Sequence, residues 1–115
     1  MKVINIIVKI IDEKKGENIN IIDMRNISSL ASYYIICSVN SERQATAIAH
    51  EIEKELITKN LPYNHTEGKK SDSKWILVDA EDVIVHIFTK EEREVYNLDL
   101  LWADQPNLNY IEYLK

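Results

Sequence analysis

Two almost uninterrupted apolar runs, Trp75-Ile76-Leu77-Val78 and Val83-Ile84-Val85-His86-Ile87-Phe88, are separated only by Asp79-Ala80-Glu81-Asp82. Short runs rich in valine and isoleucine favour strands, and an acidic, turn-forming spacer joins them as a β-hairpin. Strands without polar alternation belong at the centre of a sheet, covered on both faces. A chain built around such a hairpin must supply that cover elsewhere, which points to helices packed on a sheet.

The remaining segments meet this requirement. From Lys2 to Lys14 the apolar positions fit a helical stripe at 3, 7, 10 and 11, although the isoleucines and valines also fit a strand. A helix is expected there, capped by Gly16, with Lys14 and Lys15 complementing its dipole. Asn20 to Met24 and Tyr33 to Val39 read as buried strands. Ser41 and Gln44 form a capping box, after which Ala45, Ile48, Ala49, Ile52 and Leu56 recur at helical spacing to about Lys59. Leu61-Pro62 stops that helix, and the polar stretch 64–73, with Gly68, is expected as a turn or loop. Thr89 and Glu92 offer a second capping box, continued by a stripe of Val95, Leu98 and Leu101. The expected fold is α/β, a single domain with a mixed β-sheet flanked by helices.

The 115 residues include 45% hydrophobic and 29% charged side chains with two Gly and two Pro, so one globular unit with short loops is expected. A net charge of −5 disfavours binding to a phosphate backbone and suits a basic protein partner. The single cysteine, Cys37, lies in an apolar run and reads as core, which suits a reducing, cytoplasmic setting. The apolar N-terminus is interrupted by Lys9, lacks a small-residue cleavage site and is too short to span a bilayer, so neither export nor membrane insertion is expected.

Candidate chemistry is sparse. Asp79 and Asp82 could hold magnesium or act as acid and base, but a hairpin turn also wants aspartate, and that reading is preferred. His50, His65 and His86 are far apart, without metal-ligand spacing. His86 interrupts an aliphatic strand and must find a hydrogen-bond partner or a surface. There is no glycine-rich phosphate loop, nucleophile elbow or Cys/His pairing, so no catalytic residue, metal or cofactor is assigned. Trp75, Tyr96 and Trp102, with Arg93, suit an interface, yet each aromatic serves equally well to close the core. The tail from Gln105 to Lys115 either packs back or supports self-association.

The segment from Trp75 to Phe88, followed by Glu92-Arg93-Glu94-Val95-Tyr96-Asn97-Leu98 and Leu101-Trp102-Ala103-Asp104, resembles the signature of the Iojap family, the ribosomal silencing factors. Asp23-Met24-Arg25, the Tyr33 strand, the run from Ser38 to Gln44, and Glu67-Gly68 also fall where that family has them, so the resemblance covers about residues 10–104. It implies a nucleotidyltransferase-like fold without that fold's catalytic motif. It also implies a function: binding the large ribosomal subunit through the fourteenth large-subunit ribosomal protein (L-fourteen), and sterically blocking the small subunit so that translation is repressed when nutrients are scarce. No direct nucleic-acid contact, cofactor or membrane is required, and a homodimer is suggested. Carried over by position, the partner-binding residues are Trp75, Asp82, His86, Arg93, Tyr96, Leu101, Trp102 and Asp104. The aromatics are expected as anchors, with Asp82 and Asp104 meeting basic side chains.

Three positions depart from the family pattern: Ser32 where Asp is usual, and Val39 and Glu81 where Gly is usual. Val39 is expected to reshape the strand-to-helix corner, because a β-branched residue resists positive φ. Two other functions remain open at this point. One is a nucleotidyltransferase-like protein binding a nucleotide, or acting on it, at Asp79, Asp82 and His86; the other is an adaptor that dimerises and binds a different basic protein.

Overall fold

The isoleucine-rich N-terminus forms a helix, α1 (Lys2–Glu13), that buries Ile4, Ile7, Val8, Ile10 and Ile11. The buried set steps 4, 7, 8, 11, so Val3 falls at its margin, half-buried rather than central. Past the helix, the Gly16 amide donates to the Ile11 carbonyl (2.8 Å) and the Lys15 amide to that of Asp12 (3.1 Å), which together make a Schellman motif. The left-handed residue is Lys15 (φ 69), not the expected Gly16. Glycine is needed next to it for room, because a Cβ at position 16 would lie 2.4 Å from Ile11 Cγ2.

The structure, a computed structural model, describes residues 2–69 and 74–115. After α1 come β1 (Glu17–Asp23), β2 (Tyr33–Val39), α2 (Glu42–Thr58), β3 (His65–Glu67), β4 (Trp75–Ala80) and β5 (Val83–Thr89). They are followed by α3 (Lys90–Tyr96), α4 (Leu98–Leu101), β6 (Asn107–Leu108) and a terminal 3-10 helix (Tyr110–Tyr113). The strands form one sheet ordered β3-β4-β5-β2-β1-β6, in which β2 and β5 run parallel and every other pair antiparallel. The architecture is the expected α/β one, a mixed sheet flanked by helices. Among the described residues no helix is long and apolar enough to cross a membrane.

Several local expectations change. Strand β3 lies in the stretch expected as a loop; three polar-flanked residues on a sheet edge show no hydrophobic period. Residues 70–73 of that stretch lie outside the described residues. The hairpin turn narrows to Glu81-Asp82, since Ala80 already pairs with Val83. At the start of α2, Ser41 Oγ accepts from the Gln44 amide (3.1 Å) as expected. The Gln44 side chain reaches elsewhere: its Oε1 accepts from the Asn40 amide (2.8 Å), and its Nε2 donates to the Lys14 and Lys15 carbonyls, tying α2 to the end of α1. The tail packs back, with Tyr110, Tyr113 and Leu114 against the main core and Asn5 donating to the Tyr113 carbonyl.

Val39 does not reshape its corner. It is 1% exposed, stays in register with Thr89, and has no positive φ. Among the three departures from the family pattern the left-handed residue is Glu81, φ 70, in the tight turn. Holding a side chain there costs about 1–2 kcal/mol relative to glycine.

Strand alternation divides the sheet's two faces. Ile21, Ile35, Cys37, Ile76, Val78, Val85 and Ile87 pack beneath α1 and α2 with Ile48, Ile52 and Leu56, in the main core. Cys37 is fully enclosed there, and burial pushes its thiol up to about 12, which makes it inert. The second face is covered at one end only. Strand β5 is buried along nearly its whole length, but β4 alternates, leaving Trp75, Leu77 and Asp79 half-buried, so the hairpin is not enclosed on both sides as its composition suggests.

Candidate functional site

The second face is assembled by register. Trp75 of β4 stands opposite Phe88 of β5, Leu77 opposite His86, and on the parallel side Ile36 of β2 opposite His86. Thr89 ends β5 and caps α3, its Oγ1 accepting from the Glu92 amide at 3.4 Å. The single helix expected from here breaks at Asn97, which takes a left-handed conformation (φ 45) and caps α4 by accepting from the Leu100 amide. Asparagine tolerates that geometry because its short polar side chain bonds locally. The break folds α4 back, so Leu98 and Trp102 pack against Ile22, Met24, Ile36 and Phe88. Val95, Leu100 and Leu101 are left facing solvent, at 72%, 70% and 62% exposure.

Arg93 holds this corner in place. Its Nε and Nη2 donate to the two Asp99 carboxylate oxygens at 3.0 and 2.9 Å, and its Nη1 donates to Ser38 Oγ (2.9 Å) and to the Asn18 carbonyl. Asn20 adds a bond to Asp99 at 2.9 Å. Hydrogen bonds from Arg93, reinforced by Asn20, hold the Asp99 carboxyl below its ordinary range against the opposing effect of burial. Expected at the interface, Arg93 instead turns inward, with only 14% of its side chain exposed. Arg93→Ala should destabilise the domain by about 2 kcal/mol, less than a fully buried pair would cost because Asp99 retains some solvent. A thermal melt reads this loss, and Arg93→Lys should recover little of it, since an ammonium cannot reproduce the two-pronged bond.

An aromatic row lies beside the corner. The Trp75 ring stacks on Phe88 (centroids 4.9 Å apart) and tilts against Tyr96 (4.6 Å). Its indole N–H donates to His86 Nδ1 at 3.1 Å, and the Tyr34 ring meets the imidazole edge-on at 4.7 Å. Indole can only donate, so neutral His86 carries its proton on Nε2. Burial pulls the His86 pKa down to about 4, which keeps the ring neutral at neutral pH. Both His86 Nε2 and Trp102 Nε1 are buried without a partner among the described residues.

The structure thus brings Trp75, His86, Tyr96 and Trp102 together, with Leu101 on the outer side of the same corner. Trp102 lies half-buried beneath it, whereas Tyr96 is 49% exposed. Asp104 is exposed in the turn after α4. Asp82 stands apart: it sits in the hairpin turn at the far end of β5, its carbonyl accepting from the Ser32 and Tyr33 amides. Along β5 it lies roughly 13 Å from His86 and roughly 20 Å from Phe88 and its register partner Trp75. Asp79 serves the turn, its Oδ1 accepting from the Glu81 amide (2.9 Å) and from Asn64 (3.2 Å). Among the described residues no three His, Cys, Asp or Glu side chains are grouped to hold a metal ion. Sequence reasoning missed Tyr34, Leu77 and Ile84, the half-buried residues of the uncovered part of this face. The positions two apart along β4 would have pointed to Leu77, but the continuous apolar run hid them.

The sequence matches the family described as ribosomal silencing factor during starvation over residues 1–114. It is 38% identical over 107 residues to a ribosomal silencing factor of Halalkalibacterium halodurans, spanning 93% of this chain and 91% of that protein. It is 43% identical over 95 residues to the Bacillus subtilis ribosomal silencing factor, spanning 83% and 80%. A crystal structure of a Chromobacterium violaceum protein superposes with a TM-score of 0.84 at 28% identity, covering 89% of this chain and 84% of that one.

Proposed function

This chain belongs to the family of ribosomal silencing factors, and on that premise we propose that it binds the large ribosomal subunit through L-fourteen and sterically excludes the small subunit, repressing translation. The observation that carries this reading is the solvent-facing ledge of Tyr96, Leu100 and Leu101 beside the half-covered Trp75, on an otherwise acidic chain. Exposed aromatic and aliphatic groups clustered in this way supply most of the energy of protein interfaces. The net charge of −5 favours encounter with a basic ribosomal protein.

Trp75, Tyr96 and Leu101 are the direct contacts in this reading. His86 and Trp102 support them from beneath, and Arg93 holds the corner that presents them. Asp104, next to the ledge, and Asp82, at the hairpin end, meet basic side chains of the partner. Exclusion by bulk needs no catalytic group and no cofactor. Micromolar to nanomolar affinity, about −8 to −12 kcal/mol, is enough to compete with subunit joining in the cytoplasm. The test is co-sedimentation of the purified protein with isolated large subunits, together with a measurement of their joining to small subunits. Binding with reduced joining is the expected result. Binding that leaves joining unchanged would remove the steric mechanism, and absence of binding would remove the whole reading.

A further inference from the structure

The uncovered half of the second face ends in a groove of about 400 Å3. Its floor is made by Tyr34, Leu77 and Ile84, and Leu30, 88% exposed, stands at its edge. Glu67, Asp79 and Glu81 complete the wall. Pairing fixes this arrangement, because Glu67 is the register partner of Leu77, and Ile84 is the partner of both Asp79 and Tyr34. The lining holds no Lys, Arg or His, although His65 stands beside two of the carboxylates, 2.7 Å from Glu67 and 3.6 Å from Asp79.

We propose that this groove takes a lysine or arginine side chain of the ribosomal protein partner, a further contact that rests on the function proposed above and joins Asp82 at the hairpin end of the sheet. Such a side chain joins an apolar stem to a charged head, and the groove offers an apolar floor beneath a carboxylate wall. A purely apolar anchor would desolvate the carboxylates without compensation. A phosphate backbone would be repelled by them. A second copy of this chain would bring a further net charge of −5 against the same wall. Only a basic side chain matches both halves of the groove.

Glu81 permits a clean test, since its turn position (φ 70) suits glycine. Glu81→Gly should melt no lower than the parent protein yet bind isolated large subunits several-fold more weakly. Glu81→Lys should bind about tenfold more weakly, with a shallower dependence on salt. If both variants bind subunits as the parent does, the groove assignment falls while the proposed function stands. If the parent binds no large subunit, the function falls and the groove assignment with it. If Glu81→Lys changes self-association of the pure protein and leaves subunit binding untouched, the groove holds a second copy and the assignment is overturned.

Discussion

Tyr96→Ala combined with Leu101→Ala should weaken binding to isolated large subunits by about 100-fold, with little change in melting temperature. The two side chains are 49% and 62% exposed, and α3 and α4 contain no fully buried residue, so truncation opens no cavity in either core cluster. Loss of two central anchors at about 1.4 kcal/mol each amounts to two factors of ten in affinity. Trp75→Ala is expected to behave differently. It removes the stack on Phe88 and leaves His86 Nδ1 without its donor, so affinity and stability should fall together. Equilibrium binding and thermal melts on the same samples separate the two outcomes. A double variant that binds normally would place the contact surface elsewhere.

Through His86, acid should destabilise the native state by about 3 kcal/mol between pH 6.5 and pH 4. The unfolded chain takes up this proton near pH 6.5, whereas the folded chain, held neutral by burial, takes it up only near pH 4. Stability from the neutral ring is therefore complete above pH 6.5 and drains away as the pH falls toward 4. Tyr34, Trp75 and Phe88 surround the ring without contributing a charge. Asp23 and Asp99, whose carboxyls are held low by Arg25 and Arg93, act in the same direction, but only below their ordinary value of 3.8; Glu53, which burial pushes up but hydrogen bonds led by Lys69 hold low on balance, adds to the loss from below 4.5. His86→Gln, which can still accept from the Trp75 indole, should flatten the urea-denaturation profile between pH 6.5 and 4. An unchanged slope would assign the acid sensitivity to other groups.

Composition and periodicity were enough to locate both helices of the main core and the strands around Ile35, Ile76 and Val85, because burial on that face depends only on local spacing. The other face could not be read in the same way. Whether Trp75, Tyr96 and Trp102 lie inside or outside depends on where the chain turns at Asn97, and a stripe of Val95, Leu98 and Leu101 gives no warning of a left-handed residue within it. For the same reason the inward turn of Arg93 could not be read: its partners Asn18 and Ser38 reach it only through sheet pairing and helix docking. Asp82 and Trp75 are near neighbours in the signature, yet the extended strand β4 runs between them and sets them at opposite ends of the hairpin. Strands β3 and β6 were invisible because edge strands of two or three residues gain their order from a neighbour rather than from their own side chains.

The parallel pairing of β2 with β5 also governs how the chain comes together. Tyr33 cannot meet Val83, nor Val39 meet Thr89, until α2, β3 and β4 have all been synthesised between them. Closing so long a loop carries an entropic cost that local hairpins avoid, and it slows folding. During translation β2 waits with one edge unsatisfied, so the nascent chain completes its central sheet only after Thr89 has cleared the exit tunnel of the ribosome that makes it.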